Sequence, residues 1–214
     1  MTVYALQGEY LSELTYLVCK DGKALVIDPG ASGEKILNAC KSLSVTPVAV
    51  LLTHGHADHV CGAAALQRHG LKVYAHSEEF TLIAGKANLS IALGFALDAF
   101  TPDVAVKDDD VLNIDTFSVK VIHTPGHTQG GVSYLMEDFL FTGDTLFPCS
   151  YGRTDFPTGD EQDLLCSIAN VLFELPASTK VYSGHGFAGA FGVPFPPQTT
   201  IGEEYSTNPI LNLL

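Results

Sequence analysis

The segment Thr53-His54-Gly55-His56-Ala57-Asp58-His59 sets four potential metal ligands within six residues, directly after the apolar run Val48-Ala49-Val50-Leu51-Leu52. Imidazole and carboxylate groups at this density suit divalent ions with open coordination positions. His54 and His56 are two residues apart, so an extended backbone projects both to one side. Asp58 and His59 follow where a helix is expected to start, and they turn toward a different point. One short segment can therefore grip two ions from two directions. Two adjacent cations can lower the pKa of a shared water to about 7, as in zinc enzymes, making hydroxide the nucleophile. One of them can also polarise a carbonyl and take up the charge of a tetrahedral intermediate. No serine or cysteine nucleophile is then needed, and none of the five cysteines falls in a Cys-His arrangement.

Three further ligand types stand beside glycines at the ends of apolar runs. His127 lies in Thr124-Pro125-Gly126-His127-Thr128, Asp144 in Thr142-Gly143-Asp144, and His185 in Ser183-Gly184-His185-Gly186. Each alone is compatible with an ordinary polar loop. With the first segment they complete an inventory of five imidazoles and two carboxylates, enough for two divalent ions. Asp28, in Asp28-Pro29-Gly30, is the candidate to hold a ligand in place, with Thr53 and Thr128 behind it. Arg153 and Asp155 are expected to pair within their loop, Tyr151 to line the pocket mouth, and Lys86 and Asn88 are candidates to reach a substrate carboxylate. His69 and His76 read as surface residues and His123 as a neighbour of the His127 loop. Cys61 and Cys149 read as inert small side chains.

The elements that must position these groups follow from periodicity and turn signals. Strands are expected at Thr2–Gln7, Leu14–Cys19, Lys23–Ile27, Val48–Leu52, Lys72–Ala75, Val111–Ile114, Thr116–Ile122, Val132–Met136, Phe139–Thr142 and Val181–Ser183. Helices are expected from Ser32 or Gly33 to about Leu43, from about Asp58 to His69, at Ser77 with Glu79 and Phe80, and over about Asp160–Leu172. Asp108-Asp109-Asp110 reads as a turn before a strand. Strands inside, helices outside and a second half of the same kind suggest two sheets between helical layers. The loops at one end would carry the ligands.

The chain has 214 residues, 46% of them hydrophobic, which suffices for one well-buried core; a single domain over residues 1–214 is expected. No apolar run reaches the roughly 18 residues of a membrane span, and Met1-Thr2-Val3-Tyr4 does not open a signal peptide. Five scattered cysteines suggest no disulfide framework and point to a reducing cytoplasm. With 11 Lys+Arg against 24 Asp+Glu the net charge is −13, which disfavours nucleic acid and anionic membranes as partners.

The order HxHxDH, His127, Asp144, His185 resembles the metallo-β-lactamase-fold hydrolases. TPGHT, FTGDTLF, YGRTDF, SGHG and the terminal TIGEE with Asn208-Pro209 are similar to the short glyoxalase-II-like branch, the relatives of hydroxyacylglutathione hydrolase. The resemblance runs from about Ile27 to Leu214. It implies an α/β fold of the αββα type, with two mixed sheets flanked by helices. It implies that His54, His56 and His127 bind one ion, that Asp58, His59 and His185 bind the other, and that Asp144 bridges. It implies two divalent metals, with zinc the foremost choice and iron or manganese compatible with the same ligands. Asp58 would also orient the hydroxide and accept its proton. The activity implied is hydrolysis of a small-molecule thioester of the S-acylglutathione kind, whose thiolate leaves with little acid assistance.

Three departures stand out. The large C-terminal helical domain of the longer thioester hydrolases is missing. The stretch Phe187–Gln198, rich in Gly, Pro and Phe, is expected beside the metal site. Glu13-Leu14-Thr15 stands where relatives often carry an Asn-Cys pair. The main alternative is a persulfide dioxygenase on the same scaffold, with one iron held by two histidines and one aspartate; GRTDF is shared with that group, whereas His185 argues for two metals. A zinc-stabilised binding protein is disfavoured because structural sites are usually closed tetrahedra. The lack of an export signal argues against β-lactam hydrolysis, and the acidity against RNA cleavage.

Overall fold

The strand Leu14–Lys20 is buried along both faces from Leu14 to Cys19, and it can be so only between two layers. Leu14, Tyr16 and Val18 point into a core shared by two sheets, while Leu17 and Cys19 point outward against helices. The same alternation organises the rest of a computed structural model, which describes residues 1–213. The first sheet is ordered β1 (Thr2–Gln7), β2 (Leu14–Lys20), β3 (Lys23–Ile27), β4 (Thr46–Leu51), β5 (Lys72–His76) and β6 (Val104–Val106). The second sheet is built from β7 (Val111–Ile114), β8 (Phe117–His123), β9 (Val132–Met136) and β10 (Phe139–Gly143). A short ribbon, β11 (Leu146–Phe147) with β12 (Ser150–Tyr151), precedes β13 (Lys180–Ser183) and β14 (Thr199–Thr200), which complete the second sheet in the order β14-β13-β10-β9-β8-β7.

Both sheets mix strand directions. β3, β4, β5 and β6 run parallel to one another, as do β10 and β13, whereas β1, β2 and β3 form an antiparallel meander. Between the sheets Tyr16, Phe141 and Tyr182 pack ring against ring, with centroids 5.0 to 5.7 Å apart. Helices α1 (Gly33–Ser42), α2 (Ala57–Val60), α3 (Ala63–Arg68) and α4 (Ser77–Ala84) accompany the first sheet. Helices α5 (Glu161–Asn170) and α6 (Ile201–Thr207) cover the second, with Leu164, Ile168 and Ile201 against Leu140 and Val181. This is the two-sheet, helix-flanked architecture expected. Among the described residues no helix is long and apolar enough to cross a membrane.

Some boundaries differ from the sequence reading, for physical reasons. The single helix expected from Asp58 to His69 is two, broken at Cys61-Gly62. Gly62 lies so close to the preceding loop that a Cβ there would sit 2.3 Å from the Ala31 carbonyl oxygen, and its N–H donates to Pro29 O. That contact pulls the chain out of helical register. His76, not Ser77, occupies the N-cap of α4. The three residues of β6 pair with β5 at the sheet edge and are too few to show a period. Asp108 and Asp110 accept backbone N–H bonds from His123 and Lys107, the turn role expected of them.

The stretch Phe187–Gln198 is not a wall of the metal site. Phe195 instead inserts beside Tyr16 and Tyr182 at the open edge of the inter-sheet core, and its N–H donates to Val3 O. Phe195 is half-buried there, away from the ligands, while Phe187 and Phe191 stay exposed. Only Gln198 reaches toward the site, accepting from Ser183 N and donating to His185 O.

Candidate metal centre

Five of the seven candidate ligands follow the carboxyl end of a strand, and Asp58 and His59 stand on α2 just after β4. β4 delivers His54 and His56, β8 delivers His127, β10 delivers Asp144 and β13 delivers His185. Parallel pairing of β10 with β13 sets the last two side by side. Close approach demands glycine: a Cβ on Gly184 would lie 2.2 Å from Asp144 Oδ1 and 2.7 Å from His59 Cε1. Gly143, at φ +50°, likewise leaves no room beside Thr53.

The seven side chains converge as two triads. The ligand atoms of His54, His56 and His127 lie within 4.8 Å of one another, and so do those of Asp58, His59 and His185. Asp144 spans them. Its Oδ2 lies 3.6 Å from His127 Nε2 and 3.1 Å from His185 Nε2, and its Oδ1 lies 3.4 Å from His59 Nε2.

Hydrogen bonds on the far side of each ring decide which nitrogen is free. His127 Nδ1 donates to Arg153 O at 2.7 Å, and His185 Nδ1 donates to Leu11 O at 2.9 Å. His59 Nδ1 donates to Asp28 Oδ2 at 3.1 Å. Thr53 gives its hydroxyl proton to Asp28 at 2.6 Å, so its oxygen can accept from His54 Nδ1 at 3.0 Å. Each of these four rings thus turns its Nε2 to the centre, the arrangement that orients a metal-ligating histidine.

Asp28, Thr53 and Arg153 therefore do structural work at the site, with Arg153 acting through its carbonyl. The guanidinium of Arg153 is bound in two places to Asp155, both at 2.6 Å, as expected. Asp28, His54 and His59 also fall within ligand range of one another. The Asp28 oxygens are already taken by Thr53 N, Thr53 Oγ1 and His59 Nδ1, which makes it a holder of ligands. It does so at φ +46°, a left-handed backbone rare outside glycine, asparagine and aspartate and kept here by those three bonds.

The donor set fits divalent cations. His54 Nε2, His56 Nε2 and Asp144 Oδ1 are fully buried polar atoms with no protein partner, a state that costs free energy unless something else satisfies them. His56 Nδ1 and His127 Nε2 face each other at 2.9 Å, a hydrogen-bond spacing in which one nitrogen carries a proton that a bound ion would replace.

Electrostatics divides the triads. Burial, and then neighbouring imidazoles, push His54 well below the usual histidine range and His56 down to about 3. Burial also opposes charge on His59 and His185, but Asp144 and Asp58 together, with Asp28 at His59, raise both. In return His59 and His185 hold Asp144 well below the carboxylate range, against the effect of its burial.

A residue outside the sequence reading ties the first triad together. Glu79, on the buried face of α4, accepts from Gly55 N at 2.6 Å and from Gly130 N at 2.8 Å. It thereby clamps the His54-Gly55-His56 turn to the His127 loop. Its only signal in the sequence is an acid on the inner face of a short helix. Lys86 and Asn88 do not serve a substrate: Asn88 is buried and bonds Ile83 O and Ser90 N, and Lys86 is exposed on the same turn. His123 stacks on His76 at 4.6 Å and bonds Gln129 O, clear of the ligands. Cys61 is pushed up to about 12, chiefly by burial, which fits an inert thiol.

A cavity of about 420 Å³ opens onto His56, Asp58, His127, Asp144 and His185, and Tyr151 lines it as expected. The family model for the metallo-beta-lactamase superfamily matches residues 10–185. The chain is 35% identical over 202 residues to the probable metallo-hydrolase YqgX of Bacillus subtilis, covering 92% of this chain and 91% of the relative. It is 35% identical over 203 residues to the hydroxyacylglutathione hydrolase GloC of Haemophilus influenzae, with the same coverage of 92% and 91%. Among solved structures, that of the BLEG-1 B3 metallo-beta-lactamase superposes with a TM-score of 0.88 at 36% identity, over 98% of this chain and 99% of that one. TTHA1623 in a di-iron-bound form gives a TM-score of 0.82 at 34% identity, over 96% and 98%. Strand-end histidines and aspartates gathered in two triads thus coincide with a match along nearly the whole chain: it belongs to the metallo-beta-lactamase superfamily, among relatives that are metallo-hydrolases.

Proposed function

We propose that this chain is a dinuclear metal-dependent hydrolase that cleaves a small-molecule thioester, as glyoxalase-II-like enzymes do. The observation that carries the reading is Asp144, whose carboxylate lies between two triads of ligand atoms. His54, His56 and His127 would hold one ion and Asp58, His59 and His185 the other, with zinc the first choice and iron or manganese compatible with the ligands. The bound pair would supply acidified water and a polarised carbonyl. Asp58, which lines the cavity, would orient that water and accept its proton on a carboxylate oxygen. The Asp28–Thr53 pair and the Arg153 and Leu11 carbonyls keep the rings aimed during the reaction. A thiolate leaves without strong acid help, which suits a site whose proton-bearing groups are mostly ligands. The 35% identity to a hydroxyacylglutathione hydrolase supports a thioester substrate. Five free cysteines support a cytoplasmic setting.

The test is thiol release from S-lactoylglutathione by protein loaded with zinc, iron or manganese, with a β-lactam as comparison. His54→Ala is expected to lower kcat/KM by at least about a hundredfold. Equal activity of His54→Ala, or no thiol release under any of the three metals, would refute the reading. The second reading, an iron-dependent persulfide dioxygenase, draws on the Gly152-Arg153-Thr154-Asp155-Phe156 segment. One iron per chain together with oxygen uptake on a persulfide would select it.

A further inference from the structure

The cavity above the ligands has one wall that neither the metal chemistry nor the sequence motifs explain. Leu11, Leu89, Ala92, Leu93, Phe147 and Phe156 line it. These residues come from separate loops that are held together. Tyr10 beside Leu11 stacks on Phe95 two residues past Leu93, with centroids 4.1 Å apart and planes at 6°. Leu89 stands at φ +68° and is anchored by Asn88, which bonds Ile83 O and Ser90 N. Leu11 is fixed because its carbonyl accepts from His185. The wall is therefore part of the site's construction.

Among the described lining residues Arg153 is the one lysine or arginine. Its guanidinium is already bound in two places to Asp155 and lies 4.0 Å over the Phe156 ring. Beyond the ligand cluster, the cavity thus offers mostly apolar surface, with Ser150 and Tyr151 at one side, and no free cation for a carboxylate. Burial of apolar chain against such a surface is favourable, and a desolvated carboxylate against it is costly.

We propose that the substrate's acyl group is an apolar chain lying along the wall of Leu11, Leu89 and Leu93, and that the favoured thiol carrier brings no carboxylate into the cavity. This rests on the thioester-hydrolase reading above and narrows its substrate class. A cavity of about 420 Å³ is near the lower end of ligand pockets, which suits an unbranched chain of medium length.

The test has two arms on metal-loaded protein. The first compares N-acetylcysteamine thioesters of acetate, butyrate, hexanoate and octanoate with S-lactoylglutathione. The proposal expects kcat/KM to rise about two- to fourfold for each added methylene until the cavity is filled, and S-lactoylglutathione to fall below butyrate. The second measures binding of the free carboxylates, acetate to octanoate, by calorimetry, which needs no turnover and should show the same gradient. Leu93→Asp should flatten both gradients; Leu89→Asn, which keeps a residue tolerant of positive φ, should do so independently. Thioester turnover without a chain-length gradient overturns this proposal and leaves the hydrolase reading standing. A binding gradient without turnover of any thioester upholds the apolar wall and overturns the hydrolase reading. A flat carboxylate series or preferred S-lactoylglutathione overturns the proposal.

Discussion

At the scale of single residues, the two triads differ in what must happen before a cation binds. His54 and His56 are held neutral by burial and by their neighbours, so the first triad needs little proton release. His59 and His185 are raised by Asp144 and Asp58, so the metal-free second triad keeps its protons to higher pH than the first, and an ion there must compete with them. A proton competes with a metal for any ligand with a raised pKa, and the competition strengthens as pH falls. Acidification is therefore expected to empty the Asp58–His59–His185 position first. Apparent affinity there should fall about tenfold per pH unit for each displaced proton, while the other position holds to lower pH. Calorimetric zinc titrations in two buffers of different ionisation enthalpy read the proton count directly. Equal proton release for both equivalents of zinc would contradict the asymmetry.

At the scale of elements, the site is a meeting of strand ends that need clamps. Glu79 is the clearest: one buried carboxylate bonds the turn between His54 and His56 and the loop after His127. Burial raises its pKa although those N–H bonds favour its charge. Glu79→Ala leaves two buried N–H groups unpaired, at a cost of about 1–3 kcal/mol each. It is expected to weaken zinc at the first triad by about ten- to a hundredfold, with a smaller effect at the second. Cobalt-substituted protein reports this in its visible spectrum, and parallel loss at both positions would show that Glu79 serves folding alone. On the opposite side Tyr16 OH donates to Ser183 O at 2.6 Å and Gln198 bonds Ser183 and His185. The inter-sheet core thus fixes the His185 loop from behind.

At the scale of the whole molecule, the sheet between two layers carries one acid that it accommodates poorly. Glu13 is fully buried behind the ligands, and its carboxyl accepts only from the Thr15 hydroxyl. Burial raises its pKa well above the ordinary value, helped by Asp28 and Asp58 and opposed by His59. The folded state then binds more protons than the unfolded chain between the unfolded and folded pKa values, so stability is lost as pH rises through that window. Glu13→Gln removes the ionisation while keeping a partner for Thr15. The melting temperature of the metal-free protein should rise by about 3 °C at pH 8, equivalent to roughly 1 kcal/mol, and the gain should vanish near pH 4. A gain independent of pH would refute this account.

Most of the ligand set was legible from residues alone because the ligands are local features. Histidines and aspartates stand beside glycines at the ends of apolar runs, and strand ends are set by short-range hydrophobic period. Asp28 and the Arg153–Asp155 pair were legible for the same reason. What depended on contacts between distant segments was not. Glu79 lies 24 residues from Gly55 and 51 from Gly130, and no local pattern marks that clamp. The break between α2 and α3 follows from a backbone contact with the Pro29–Ala31 loop, and the Phe187–Gln198 stretch turned from the ligands because an open core edge lay within reach of Phe195. The sequence by itself determined which groups can meet a cation. Only the tertiary structure decided which nitrogen of each ring faces it and which apolar loops close over it, because those choices are made by hydrogen bonds and packing between residues far apart in the chain.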